Sequence, residues 1–279
     1  MGAARNQGRC FSTVLCTWAI LKRVDFHLIA ANLRESFRII AASRSAGELR
    51  ELEGVSIAAA GATFPMFNTA FLSSPVATER ELKQRILVSI DHFGERGQEW
   101  AYWVCEDWME SPVRRRSRRV FENHGLRLAT ELPGMIAGSI APPLRLLPPI
   151  EVRRVSAESG RDAFCDVGSV CFHVPITWFR EVFDGRDVWD RFISFVGYVN
   201  GEPVSTTSVV AGGGVLGVYN VGTLPEFQRR GYGEAVMRHA LQEVGSGTER
   251  IILQSTPAGL RLYKRMGFRE AGRVSVYSS

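Results

Sequence analysis

Four prolines stand within eight residues of the segment APPLRLLPPIE (141–151): Pro142, Pro143, Pro148 and Pro149. Each fixes φ and lacks an amide hydrogen, so neither a helix nor a central strand runs through the segment. It reads as a semi-rigid connector and divides the 279 residues near position 149. The two pieces, 24–149 and 150–279, are each of ordinary domain size. Residues 1–23 stand apart. FSTVLCTWAIL (11–21) has the length of a signal-peptide core, but Lys22-Arg23 follows it and there is no small-x-small cleavage site. Regular patterning begins at VDFHLIAANLRESF, so Val24 reads as an initiator and residues 1–23 as an extension that is not native.

Both pieces alternate strand and helix patterns. After the connector, EVRRVS is a strand, residues 158–190 are one or two helices rich in Phe and Trp, and residues 192–224 are three strands turning at NG and GGG. The next helix carries Val236, Met237, Ala240, Leu241 and Val244 at 3.6-residue spacing. RIILQST reads as a buried strand, PAGLRLYKRM as a helix broken at Gly267, and REAGRVSVYS as a last strand. The first piece repeats the order. GVSIAAAG and FPMFNTAFL are strands, and TERELKQRILVSIDHF is a helix with a capping box at Thr78 and Glu81 and an apolar stripe of Leu82, Ile86, Ile90 and Phe93. EWAYWVC (strand), SPVRRRSRRVFENHG (helix) and LRLATELPGMIAG (strand) follow.

The echo extends to residues. FNTAFL (67–72) matches YNVGTL (219–224), and VFENHGL (120–126) matches LYKRMGF (262–268). Asn68 precedes Phe121 by 53 residues and Asn220 precedes Tyr263 by 43, a register kept apart from one insertion of ten. The chain reads as a duplication. Phe121 then stands where the second piece has Tyr263.

Bulk properties exclude several classes. Residues 1–150 carry 19 Lys+Arg against 15 Asp+Glu, and residues 151–279 carry 15 against 14, too even for nucleic acid as the main partner. No apolar run is long enough to span a bilayer. Cysteines 10, 16, 105, 165 and 171 are odd in number and form no C-x-x-C pair, which argues against a disulfide framework or a zinc site and for a reducing, cytoplasmic setting. Cys165 and Cys171 have no histidine in a telling relation and read as bystander thiols. The tract RRRSRR (114–119) reads as a solvated or interdomain face.

The chemistry concentrates in PEFQRRGYGEAVMRHAL (225–241), where two glycines open an amphipathic helix. Glycine is a poor helix residue. At a helix N-terminus, however, the unpaired N–H groups bind anions, and glycine lets an anion come close. Arg229 and Arg230 add positive charge, and Gln228 helps hold the loop. A Rossmann loop would need a third glycine and a downstream acid, and a Walker loop would need Gly-Lys-Ser/Thr. Neither is present.

With a strand before it, and helix, strand, helix and strand after it, this segment resembles the GNAT superfamily of N-acetyltransferases. Gln228, Gly231 and Gly233 fit the family's Q/R-x-x-G-x-G/A motif, and Tyr263, Gly267 and Phe268 fit its last-helix Tyr followed by Gly-Phe. The resemblance covers about residues 151–279, more faintly the first half. It implies an α/β (α+β) fold of tandem GNAT-like domains, each a mixed, splayed sheet flanked by helices, the first degenerate. It further implies that acetyl-CoA lays its pyrophosphate on the amides of Arg229, Arg230, Gly231, Tyr232, Gly233 and Glu234. The pantetheine would pair with Val221, Gly222 and Thr223, and Tyr263 would protonate the leaving thiolate. Thr256 stands where an Asn often precedes the last helix. The strand carboxylate that many members carry is missing from IILQST, so no base is assigned; water, His173, Glu181 and Asp184 stay open. Phe172, Trp178, Phe179, Phe183 and Trp189 fall on the acceptor-site helices and read mostly as packing. No metal is implied. The acceptor is an unspecified small-molecule or peptide amine, and oligomeric state is unreadable. A non-catalytic acyl-CoA-binding module and a transferase using a longer acyl-CoA remain alternatives.

Overall fold

A computed structural model of the chain describes residues 10–185, 187–245 and 250–279, with side chains from residue 24 onward. Helix α1 (Cys10–Ala42) passes Val24 without a break, and residues 1–9 lie outside the described residues. The first half then forms β1 (Glu48–Leu52), β2 (Val55–Ala59), β3 (Asn68–Leu72), α2 (Glu79–Gly94), β4 (Ala101–Cys105), α3 (Ser111–Glu122) and β5 (Arg127–Ala137). The second begins with β6 (Glu151–Arg154), α4 (Glu158–Phe172), α5 (Ile176–Val182), α6 (Val188–Arg191), β7 (Ile193–Val199) and β8 (Glu202–Gly212). It ends with β9 (Val215–Thr223), α7 (Tyr232–Val244), β10 (Arg250–Gln254), α8 (Leu260–Arg265) and β11 (Arg269–Ser278). None of the described helices is long and apolar enough to cross a membrane.

Local chemistry explains where elements are shorter than the patterns predict. FPMFNTAFL is a strand only from Asn68, because Pro65 opens a 3-10 turn over Pro65–Phe67. Residues 158–190 make three helices rather than one or two. His173 adopts φ +54° after α4, and Pro175 caps α5. Helix α8 is a short Leu260–Arg265, ended by Gly267 at φ +97°, whose left-handed turn lets Phe268 N–H reach the Tyr263 carbonyl at 3.0 Å.

The eleven strands of the described residues join one mixed sheet in the order β1-β2-β3-β4-β11-β5-β10-β9-β8-β7-β6. The halves have exchanged their last strands. β5 pairs with β10 of the second half, and β11 pairs with β4 of the first. At the seam β11 and β5 run antiparallel from Arg269↔Ile136 to Ser278↔Arg127. Helices α2, α3, α7 and α8 pack on one face, and α1 with α4–α6 on the other.

Helix α1 crosses the seam. Phe26, Ile29, Leu33, Phe37 and Ile40 form its buried stripe, each worth roughly 1.5–3 kcal/mol in transfer free energy. Asp25, 2% exposed, is ion-paired with Arg250 of β10, at 3.4 Å, and with Arg269 of β11. Fully buried Asn32 donates to the carbonyls of Val210 and Gly212 and accepts from the Tyr219 hydroxyl at 2.6 Å. A Cβ at Gly217 would lie 1.9 Å from the Asn32 Oδ1, so only glycine lets α1 dock there.

Candidate functional site

Strand β9 is where the sheet opens. It pairs in parallel with β10 over only Val215–Gly217, opposite Arg250–Ile252. Beyond that, β10 stays with β5 through Gln254, while Val218–Thr223 of β9 have no strand on that side among the described residues. The divergence coincides with a bulge. Thr207 of β8 faces both Asn220 and Val221, and Asn220 takes φ +51°. The Thr206 hydroxyl holds the distortion by donating to the Asn220 carbonyl at 2.8 Å.

The first half shows what the opening depends on. There β3 pairs with β4 at Thr69–Phe71, just past Asn68, where the second half has parted. Asn68 is 1% exposed and spends its amide on the backbone of Ala62 and Glu99. Phe121 is fully buried, stacked on Tyr277 at 4.1 Å. That half is closed.

The loop after β9 leads to the N-terminus of α7. The Gln228 amide donates to the Thr223 carbonyl at 3.0 Å, which ties the loop back to the strand. Arg229 and Gly231 both have positive φ, +61° and +98°. The α7 N-cap, Gly231, offers no side-chain cap, so it leaves the first-turn N–H groups without the side-chain acceptor that a capping residue supplies. Glu234, in that first turn, turns instead to Arg238 at 2.8 Å. A Cβ on Gly233 would meet the Thr223 hydroxyl at 2.9 Å, so glycine lets helix and strand close up. Tyr232 stands edge-on to Phe227, and the Arg230 guanidinium lies over the same ring at 5.6 Å. In α2, by contrast, Thr78 accepts from Glu81 N–H and the Glu81 carboxylate accepts from Ala77 N–H. Its N-terminus is occupied by its own side chains.

On the far side of the gap stands Tyr263, 8% exposed, its hydroxyl without a hydrogen bond among the described residues. Burial pushes its pKa up to about 12. Gly259 makes room for the ring, since a Cβ there would lie 2.7 Å from it. Thr256 sits at the entry to α8, where its carbonyl accepts from Gly259 N–H at 3.1 Å. A cavity of about 350 Å³ passes through the gap, with Val218 and Tyr263 at one side and Tyr219, Phe37 and Phe179 at the other.

Residues 190–270 match the family profile described as acetyltransferase (GNAT) domain. Over those residues the chain is similar to the GNAT acetyltransferases. Its mixed sheet has the GNAT fold. The chain is similar in structure to a GCN5-related N-acetyltransferase from Kribbella flavida, with a TM-score of 0.69 at 16% identity over 90% of this chain and 95% of that one. A functionally unknown conserved protein from Staphylococcus epidermidis gives 0.61 at 15% identity, over 84% and 94%. A GCN5-related N-acetyltransferase from Sphaerobacter thermophilus gives 0.52 at 13%, over 81% and 80%. No curated protein matches the sequence.

Around the GNAT cleft, the remaining candidates separate. Glu181 is committed to structure: its side chain accepts from Arg44 at 3.3 Å and from Thr63 N–H at 3.0 Å. His173 and Asp184 are exposed, and neither lines the cavity. Cys165 and Cys171 are free thiols pushed up to about 12 and about 11 by burial, the reverse of an activated nucleophile. The arginine tract lies on α3, paired to Asp107, Glu79 and Glu122. Phe179, Phe183 and Trp189 pack α4–α6, Trp178 stacks on Phe64 at 5.8 Å, and Phe172 is 37% exposed. Phe172, Phe179 and Phe183 also line the cavity. Sequence patterns did not point to Phe37, Phe67, Trp103 or Gln254. The first three come from the other half of the chain, and only the last had a readable signal, a polar residue ending an apolar strand.

Proposed function

We propose that the chain moves an acetyl group from acetyl-CoA to a primary amine by direct attack. The piece 150–279 binds the thioester, and the piece 24–149 walls the acceptor side. One observation carries this reading: the edge of β9 over residues 218–223, unpaired among the described residues, leads through a short loop to a helix N-terminus with no side-chain cap. The pantetheine amides pair with Val221, Gly222 and Thr223 as an added strand, and the pyrophosphate lies on the first-turn amides of α7. The amine nitrogen attacks the thioester carbonyl and the C–S bond breaks. The thiolate takes the Tyr263 proton, the ammonium formed on nitrogen releases its own to water, and the tyrosinate regains a proton from water. The free cysteines fit a reducing, cytoplasmic setting.

The rival reading, a coenzyme-binding module without turnover, draws on a cavity wall that has no carboxylate, histidine or lysine. Calorimetry with acetyl-CoA and a thiol-release assay separate the two. Gly231→Asp should abolish binding, because it sets negative charge on the anion site. Gly231→Asn, alike in size and strain, should retain measurable affinity. Equal affinity of the Asp variant and the wild type would remove the site.

A further inference from the structure

The lining of the cavity narrows the acceptor. Its wall is built by both halves: Phe37, Phe67 and Trp103 from the first, Phe179 and Phe183 from the second. None of the lining residues carries a formal charge at neutral pH. The polar exceptions are few. The Tyr219 hydroxyl is already given to Asn32, Thr130 is exposed, and Asn220 and Thr256 sit at the gap. Gln254 is different, because its Nε2 is buried and has no hydrogen-bond partner among the described residues. A buried donor left unmet costs free energy, so this amide waits for an acceptor atom on whatever enters.

We propose that the acceptor is a primary amine carried on an uncharged, apolar body, arylalkyl or branched alkyl, either free or as the first residue of a peptide. This rests on the transferase reading above. An apolar body gains binding free energy with each methylene it buries in such a wall. A polyamine would bring a second ammonium into a space with no carboxylate to pair it. A basic sugar would bring hydroxyls that outnumber the available partners. Gln254 orients the acceptor through its free amide and is a positioning residue.

The test is acetyl-CoA-dependent thiol release with phenethylamine, isoamylamine, a dipeptide amide beginning with Phe, spermidine and glucosamine, beside acetyl-CoA calorimetry. The expected result is a kcat/KM for the apolar amines at least about tenfold above spermidine and glucosamine. Whichever of phenethylamine and the dipeptide is faster identifies the source. In CoA-loaded protein, phenethylamine should quench tryptophan emission saturably, and Trp103→Phe should lose that quench. Thr130→Asp, at the exposed rim, should raise spermidine turnover while acetyl-CoA affinity holds. Gln254→Leu should raise KM for phenethylamine with little change in kcat, and Gln254→Asn should restore part of it. Spermidine or glucosamine equal to or better than phenethylamine, with acetyl-CoA bound normally, overturns the acceptor class and leaves the transferase reading standing. So does an absence of both turnover and quenching by phenethylamine. Failure of acetyl-CoA to bind removes the transferase reading, and this one with it.

Discussion

At the scale of single residues, burial is what raises the pKa of Tyr263. An acid works only while protonated, and a pKa near 12 keeps the phenol neutral well above the ordinary tyrosine value of about 10. The turnover rate should therefore rise with pH as the acceptor amine loses its proton, with no descending limb below about pH 11. An exposed tyrosine would impose that limb roughly two units earlier. Tyr263→Phe should leave acetyl-CoA affinity unchanged and lower kcat by roughly ten- to a thousand-fold. Steady-state kinetics across pH check both, and an unchanged rate in the variant would reduce Tyr263 to a packing residue against Phe268.

At the scale of elements, two helix N-termini that the sequence aligns have opposite chemistry. The difference was legible, because Thr78 and Glu81 announce a self-capped end and Gly231 with Gly233 an open one. What lies over the open end was not legible. The connector folds back so that Arg145 donates to the Arg229 carbonyl at 3.3 Å, and Pro148 stands 3.1 Å from where a Gly231 Cβ would be. Prolines predict an interruption, not the direction the chain takes afterwards. Arg145 brings a third cation to the loop. Arg145→Ala should raise the acetyl-CoA Kd two- to five-fold, a loss of about 0.5–1 kcal/mol typical of exposed charge near a helix terminus. Added salt should shrink that difference. The measurement is calorimetry at two ionic strengths. The bulge at Asn220 was likewise only half visible: the match of Asn68 with Asn220 marked the position, but strand pairing decides that one closes and the other opens.

At the scale of the whole molecule, the alternation of apolar residues located ten of the eleven strands; only β1 went unassigned. It carried no word of partners. Nothing in LRLATELPGMIAG says that it pairs with RIILQ rather than with its own half, because a strand pattern specifies a face and not a neighbour. The contribution of α1 to the cavity, through Leu33, Phe37 and Ile40, was hidden for the same reason. The exchange makes the halves interdependent. Residues 150–279 produced alone should lack the strand between β10 and β11 and expose an apolar edge, so we expect aggregation or a swapped dimer. Co-expression with residues 10–149 should restore a soluble complex and acetyl-CoA binding. A well-behaved, coenzyme-binding monomer of 150–279 would contradict this.

β11 lies near the middle of the sheet yet is made after the ten other described strands. Until it is made, β4 beside β3 and β5 beside β10 each keep one open edge, and the sheet stays divided. Synthesis of the first half cannot be followed by its independent completion, so the nascent chain must keep its open margins protected until translation passes residue 278.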